Sequence, residues 1–297
     1  MFMPLRIDHH GWQLALLALG MSAIADPRRL RGGITLGMSS ALSLAIGLEM
    51  IIYLAIAATV TVLSWVQDRE ERERLRAYAL SLSAGTALAF LIFASNDNRL
   101  PVCDALSPVW LSDALLGSTL LFVMARLSPA GWKQRLALAA GAGVIVAAFH
   151  GLTWPDCLRR LEGVAPDVQR LWLDNVKEAR PVYRHGWRIA SLVLALPITG
   201  AIGWGVLAWI SRRDPDRLRR VLGAGAIGLT ASLLLFWQAR TGPAAQMIAT
   251  IGAAALVWTV LPFAWNSKSS IVRVLGAFAV VIAGAGAAVP FVLNFVP

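Results

Sequence analysis

Asp8, His9 and His10 stand together in the string Arg6-Ile7-Asp8-His9-His10, immediately ahead of Gly11, Trp12 and an apolar run. A carboxylate offers hard oxygen and a neutral imidazole offers nitrogen, so this grouping can hold a divalent cation beside a phosphate. Asp8 and His10 are spaced to point at one ion, with His9 turned away or supporting them from behind. The same residues also suit a polar tail that caps the following helix. Few other groups in the chain invite chemistry, because most of the rest is apolar.

The elements that must position these residues follow from composition. The chain is 57% hydrophobic and 15% charged, with apolar residues in runs rather than at amphipathic spacing. Such runs read as membrane spans, and a soluble protein of this length needs more charge to cover its surface. The expected architecture is all-α: one polytopic transmembrane domain over residues 1–297, with about ten membrane helices, some of them short. No cleavable signal peptide is visible, so the first membrane helix is expected to direct insertion. The net charge of +10 is divided among short loops, which argues against nucleic-acid binding.

Those loops orient the chain. Asp26 to Arg31, Asp68 to Arg76, Trp132 to Arg135, Ser211 to Arg220, and Lys268 with Arg273 carry the Lys and Arg residues, and the positive-inside rule makes them cytoplasmic. Between two basic flanks, Ile34 to Val66 would run about 49 Å as one helix, too long for a hydrocarbon core of about 30 Å. A pair of helices, Ile34 to Gly47 and Met50 to Val66, turning near Glu49, satisfies length and parity. Trp12 to Ala25 and Ile34 to Gly47 would each rise only about 21 Å, leaving an outer recess. Further spans are expected at 77–94, 109–127, 136–152, 189–210, 221–237, 243–265 and 271–293.

Parity puts Cys103 and Cys157 in outer loops, where an oxidising compartment favours a disulfide; free thiols would follow from the inverted topology. The outer loop 153–187 carries Val168, Leu171, Trp172 and Val176 at helical spacing, an amphipathic helix lying on the membrane or over the recess. Glu178 or His185 beyond it can reach a reaction centre, although a mixed-charge helix also serves as a solvated cover. Glu49, at a turn between apolar helices, is either a functional carboxylate or an interfacial one reaching water. Arg240, at an outer turn, can grip a lipid phosphate through bidentate donors or snorkel to headgroups. His150 reads as hydrogen-bonded structure rather than a ligand.

Asp8-His9-His10 ahead of a membrane helix resembles the second acidic motif of oligosaccharyltransferase catalytic subunits, particularly the archaeal type, where an Asp-x-His motif helps hold a divalent metal. Ala41 to Glu49 (ALSLAIGLE) is similar to the short-helix turn of GT-C membrane glycosyltransferases. The resemblance rests on motifs in the first fifth of the chain and on helical layout beyond. It implies a GT-C-like fold and sugar transfer from a polyprenyl-phosphate-linked donor on the periplasmic face of a bacterial inner membrane. Asp8 and His10 would hold Mn²⁺ or Mg²⁺, Glu49 and Glu178 would act in catalysis, and Arg240 would bind the lipid phosphate. The earlier helix and first acidic loop of that family have no counterpart here, so the chain alone is expected to be inactive. The alternative is a non-catalytic membrane protein that binds or assembles lipid-linked sugars. Membrane lipids and a polyprenyl-linked sugar are the expected partners.

Single-cysteine labelling checks the orientation. Positions in 153–187 should react with an impermeant reagent from outside, and positions in 211–220 only after permeabilisation. Labelling of both loops from one side would overturn the parity assignment.

Overall fold

The computed structural model describes residues 9–158, 165–172 and 175–293. The described residues are helical, with no strand among them. Among the described residues, five helical segments are long and apolar enough to cross a membrane: Arg69–Phe93, Pro108–Leu127, Trp132–Thr153, Trp187–Ser211 and Ala239–Trp265. Large apolar side chains on these helices face outward, including Leu152, Trp258 and Phe263, each at least 80% exposed. A water-soluble protein does not tolerate apolar surface on this scale, whereas lipid covers it without penalty. The architecture is compatible with a multi-pass membrane protein. The chain forms two compact units, Met1–Ala165 and Pro166–Pro297.

The first unit contains α1 (His10–Ala25), α2 (Arg29–Ile46), α3 (Ile51–Gln67), α4 (Arg72–Phe93), α5 (Pro108–Leu127), α6 (Trp132–Thr153) and the short α7 (Pro155–Leu158). The turn expected near Glu49 is present, since α2 stops at Ile46 and α3 starts at Ile51. The second helix is longer than its apolar run, because Arg29 and Arg31 extend it. Their stems lie along the helix while the guanidinium groups reach Asp68, Glu71 and Asp26.

α2 and α4 approach through small side chains. On α2 these are Gly33, Gly37 and Ala41; on α4 they are Ala77, Ser81 and Gly85, each set repeating every fourth residue. A Cβ on Gly37 would lie 2.8 Å from the Leu82 backbone nitrogen, and one on Gly85 would lie 2.7 Å from the Ala41 Cβ. The two backbones therefore touch, as helices do in lipid when small residues line their contact.

One end of this unit is organised by arginines. Arg74, only 4% exposed, donates to Ala23 O and Asp26 O at 2.5 Å each and to Glu71 Oε2 at 2.7 Å. It thereby satisfies carbonyls at the C-terminus of α1, where the helix dipole favours a cation. Arg135, equally buried, donates to the carbonyls of Val66, Pro129 and Ala130. Ser128 follows α5 with φ 30°; Arg69 bonds its carbonyl and Trp65 its hydroxyl, holding a backbone conformation that L side chains resist. Trp65, Val66, Leu75, Met124 and Ala125 form the apolar cluster beneath. Three of the basic loops named above, 26–31, 68–76 and 132–135, thus meet at one end of the unit.

The second unit contains α8 (Pro166–Leu171), α9 (Trp187–Ser211), α10 (Pro215–Leu234), α11 (Gly242–Trp265), α12 (Ser270–Gly284) and α13 (Ala288–Leu293). α9 crosses α11 where a Cβ on Gly200 would lie 2.6 Å from the Ala249 Cα, a second contact made through small residues. The amphipathic helix expected up to Val176 is shorter: α8 ends at Leu171, where the Asn175 side chain donates to the Arg170 and Leu171 carbonyls. The last apolar run is not one helix either, since it breaks after Gly284 at a turn where Gly286 takes φ +69°.

Asp26 ties the α1–α2 turn by accepting from Arg31 Nε at 2.5 Å and from the Arg28 backbone at 2.9 Å. The Arg31 hydrogen bond, against a smaller opposing effect of burial, lowers its pKa to about 2. A depressed carboxylate stabilises the fold above its unfolded value near 3.8 and loses that contribution as pH falls toward 2. Asp26→Asn should lower the melting temperature in detergent at neutral pH. It should also flatten the loss of stability between about pH 4 and 2; an unchanged acid profile would remove Asp26 from this role.

Candidate functional site

At the end of the first unit opposite the arginine network, α1 begins and the α2–α3 turn closes over it. His9 Nε2 lies 2.9 Å from Glu49 Oε1, and the His9 and His10 rings stack with centroids 4.3 Å apart. One ligand atom from each of His9, His10 and Glu49 lies within 4.8 Å of the others. His9 therefore turns toward Glu49, where the spacing argument had it turned away or supporting the pair from behind. Asp8 lies outside the described residues. Two imidazoles and a carboxylate are an N₂O donor set suited to a transition-metal divalent cation such as Mn²⁺ or Zn²⁺, and less to Mg²⁺. Bonds of about 2.0–2.2 Å bring ligand atoms to within about 4.4 Å of each other, so small side-chain rotations close the set.

Gln13 holds Glu49 in place. Its side chain is wholly buried, and Nε2 lies 3.1 Å from Gly47 O, 3.3 Å from Ser43 O and 3.2 Å from Glu49 Oε2. The Ser43 hydroxyl donates to Gln13 Oε1. A buried amide is costly unless its donors and acceptor are all engaged, and here every group is. One carboxylate oxygen is occupied by Gln13 and the other faces His9. Gly47 makes room, because a Cβ there would lie 2.5 Å from Glu49 Oε2 and 3.4 Å from Gln13 Nε2.

Burial pushes the Glu49 carboxyl upward. The hydrogen bond to His9, one from its own backbone, and the nearby imidazoles outweigh that effect, so the pKa is lowered. Glu49 is thus an anion held against two imidazoles, the state needed to ligate a cation.

The same end carries the disulfide. Cys103 and Cys157 are bonded with Cα atoms 5.3 Å apart, as the two outer loops led one to expect. Trp110 donates to Cys103 O at 2.9 Å and Trp154 to Ser112 Oγ at 3.1 Å. His150 Nδ1 lies 2.6 Å from Asp113 Oδ2, so this histidine is hydrogen-bonded structure between α5 and α6.

Glu178 and Arg240 belong to the second unit. Glu178 sits in a 3₁₀ turn, Lys177–Ala179, and Arg240 in another, Ala239–Thr241. The backbone joins the two segments: Ala239 N donates to Arg180 O at 2.8 Å, and Val182 N to Leu235 O at 2.9 Å. Both side chains are exposed. Their two turns are neighbours, a pairing that sequence reading did not bring out. Gln13 was also missed; a lone glutamine on an apolar helix, one turn after two histidines, is the signal that could have found it.

No family model matches the chain, and no curated protein or solved structure does so either.

Gln13→Leu removes the Gln13 hydrogen bonds to the Glu49 turn while keeping the volume, leaving the Gly47 carbonyl and one Glu49 oxygen without that donor. It should cost roughly 1–3 kcal/mol of stability, read as a lower melting temperature in detergent. A melting temperature equal to wild type would show that the amide does not hold the turn.

Proposed function

We propose that this chain is a GT-C-type membrane glycosyltransferase, or a portion of one, whose metal site is built from the Asp8-His9-His10 motif and Glu49. The observation that carries the reading is the convergence of His9, His10 and Glu49, brought together where α1 starts and α2 gives way to the turn. A divalent cation there would stabilise the charge that develops on phosphate oxygens as a sugar leaves a polyprenyl phosphate. Asp8, His10 and His9 supply ligands from one short stretch, and Glu49 adds a carboxylate from the facing turn. Gln13 fixes that carboxylate and leaves one oxygen available. In this reading Glu49 is a ligand before it is a base.

The second unit offers the groups suited to the donor. Arg240 is an exposed guanidinium able to bind a phosphate through two parallel hydrogen bonds. Glu178, on the neighbouring turn, is suited to accept a proton from an incoming hydroxyl. The Cys103–Cys157 bond accords with the outer end of the first unit facing an oxidising compartment, and a periplasmic reaction requires that side.

Manganese binding followed by electron paramagnetic resonance on the purified chain tests the site. Wild type should sequester one Mn²⁺, and Asp8→Ala, His10→Ala and Glu49→Gln should each weaken binding by at least about tenfold. Binding should also fall on acidification, because ligating imidazoles must be unprotonated. Transfer from a radiolabelled polyprenyl-phosphate sugar then separates the two functional readings. Turnover lost in the same variants supports a transferase, while binding of the lipid-linked sugar without turnover supports an assembly or binding role. Wild-type protein that binds neither Mn²⁺ nor the lipid-linked sugar would overturn both.

A further inference from the structure

At the arginine end of the first unit a cavity opens between the start of α4 and the end of α5, lined by Glu70, Arg72, Glu73, Arg76, Ala125 and Arg126. Its guanidinium groups differ from their neighbours. Arg29, Arg31, Arg69, Arg74 and Arg135 are engaged by carboxylates or carbonyls of the bundle. Arg72, Arg76 and Arg126 make no ion pair among the described residues; Arg126 only lies over the Phe122 ring, at 5.2 Å. All three are exposed.

The surroundings set the depth of this cavity. Leu80 is one turn beyond Arg76 on α4, and Val123 and Leu127 flank Arg126 on α5; these are 55%, 44% and 61% exposed. Charged cavity and bare aliphatic surface therefore adjoin, as headgroup and acyl regions do at a bilayer boundary. The lining also carries both signs. Three guanidiniums suit a phosphate, but Glu70 and Glu73 would repel a ligand that is only anionic. They suit a primary ammonium, which can donate to a carboxylate, and not a quaternary one, which cannot.

We propose that this cavity binds one phosphatidylethanolamine molecule, its phosphate held by Arg72, Arg76 and Arg126 and its ammonium by Glu70 and Glu73. The acyl chains lie along Leu80, Val123 and Leu127. The site is independent of the sugar-transfer reading and lies at the other end of the unit from His9 and Glu49.

Native mass spectrometry of the full chain tests it, using mixed micelles with equal phosphatidylethanolamine, phosphatidylglycerol and phosphatidylcholine of matched acyl chains. Wild type should retain phosphatidylethanolamine over each of the others by roughly tenfold or more, the scale of a single charge-assisted hydrogen bond. Arg76→Gln with Arg126→Gln should abolish that retention. Glu70→Gln with Glu73→Gln should keep lipid bound but shift preference to phosphatidylglycerol. These side chains are exposed and the bundle does not use them, so the variants should melt as wild type does. Glycerophosphoethanolamine should displace the lipid and inorganic phosphate should not. Equal retention of the three lipids, unchanged retention in the arginine variant, or equal displacement by inorganic phosphate would overturn the proposal.

Discussion

Backbone contact between α2 and α4 is the constraint on which the rest of the first unit depends. In lipid, two helices gain nothing by hiding apolar surface from each other, so their association rests on close packing and on polar groups. Gly33, Gly37 and Ala41 against Ala77, Ser81 and Gly85 supply the first, and Arg74 supplies the second. Once α2 lies flush on α4, its C-terminal turn is fixed in height. Glu49 then meets the start of α1, which Arg74 holds from the opposite end through the Ala23 and Asp26 carbonyls. The candidate site and the arginine network are two ends of one rigid arrangement.

That arrangement also explains how a carboxylate comes to stand so near an apolar helix pair. Glu49 is partly buried, which alone would favour its neutral form. Gln13 and His9 each bond one of its oxygens, and the His9 hydrogen bond, one from its own backbone and the nearby imidazoles outweigh burial and lower its pKa. Gln13 is in turn held by Ser43 on α2. Glu49, Gln13 and Ser43 are thus linked in one relay of hydrogen bonds, the condition under which a polar network specifies one geometry.

Much of this was legible in the sequence. Apolar runs located the helices, and the length of Ile34 to Val66 required the turn that now carries Glu49. Parity joined Cys103 to Cys157. What escaped is what a hydropathy reading cannot weigh. Arg29 and Arg31 look like loop residues, yet they begin α2, because long side chains carry their charge away from the helix they belong to. The α2–α4 contact is written in residues spaced by four, Gly33, Gly37 and Ala41 facing Ala77, Ser81 and Gly85, which an eye set on apolar runs passes over. Between two histidines, spacing alone favoured His10 as a ligand and left His9 turned away or in a supporting place; the position of the α2–α3 turn brings His9 to Glu49. The break after Gly284 was hidden because alanine, glycine and valine continue across it.

α6 shows how the outermost helix of such a unit is kept. The most apolar window of α6 has no fully buried residue, and its packing on the Trp65 cluster is made by the partly buried Leu138, Ala139 and Ala142. Its two ends are held as well. At one, Arg135 bonds the Val66, Pro129 and Ala130 carbonyls; at the other, His150 meets Asp113 and Trp154 meets Ser112. Single polar contacts between membrane helices contribute only about 0.6 kcal/mol on average, too little to secure a helix one at a time. The disulfide closes a loop over a sequence separation of 54 residues, worth about 4 kcal/mol in the chain-entropy account. That exceeds the two neighbouring polar contacts combined. The covalent bond therefore fixes the end of α6, and the His150–Asp113 and Trp154–Ser112 contacts set the angle at which it lies against α5.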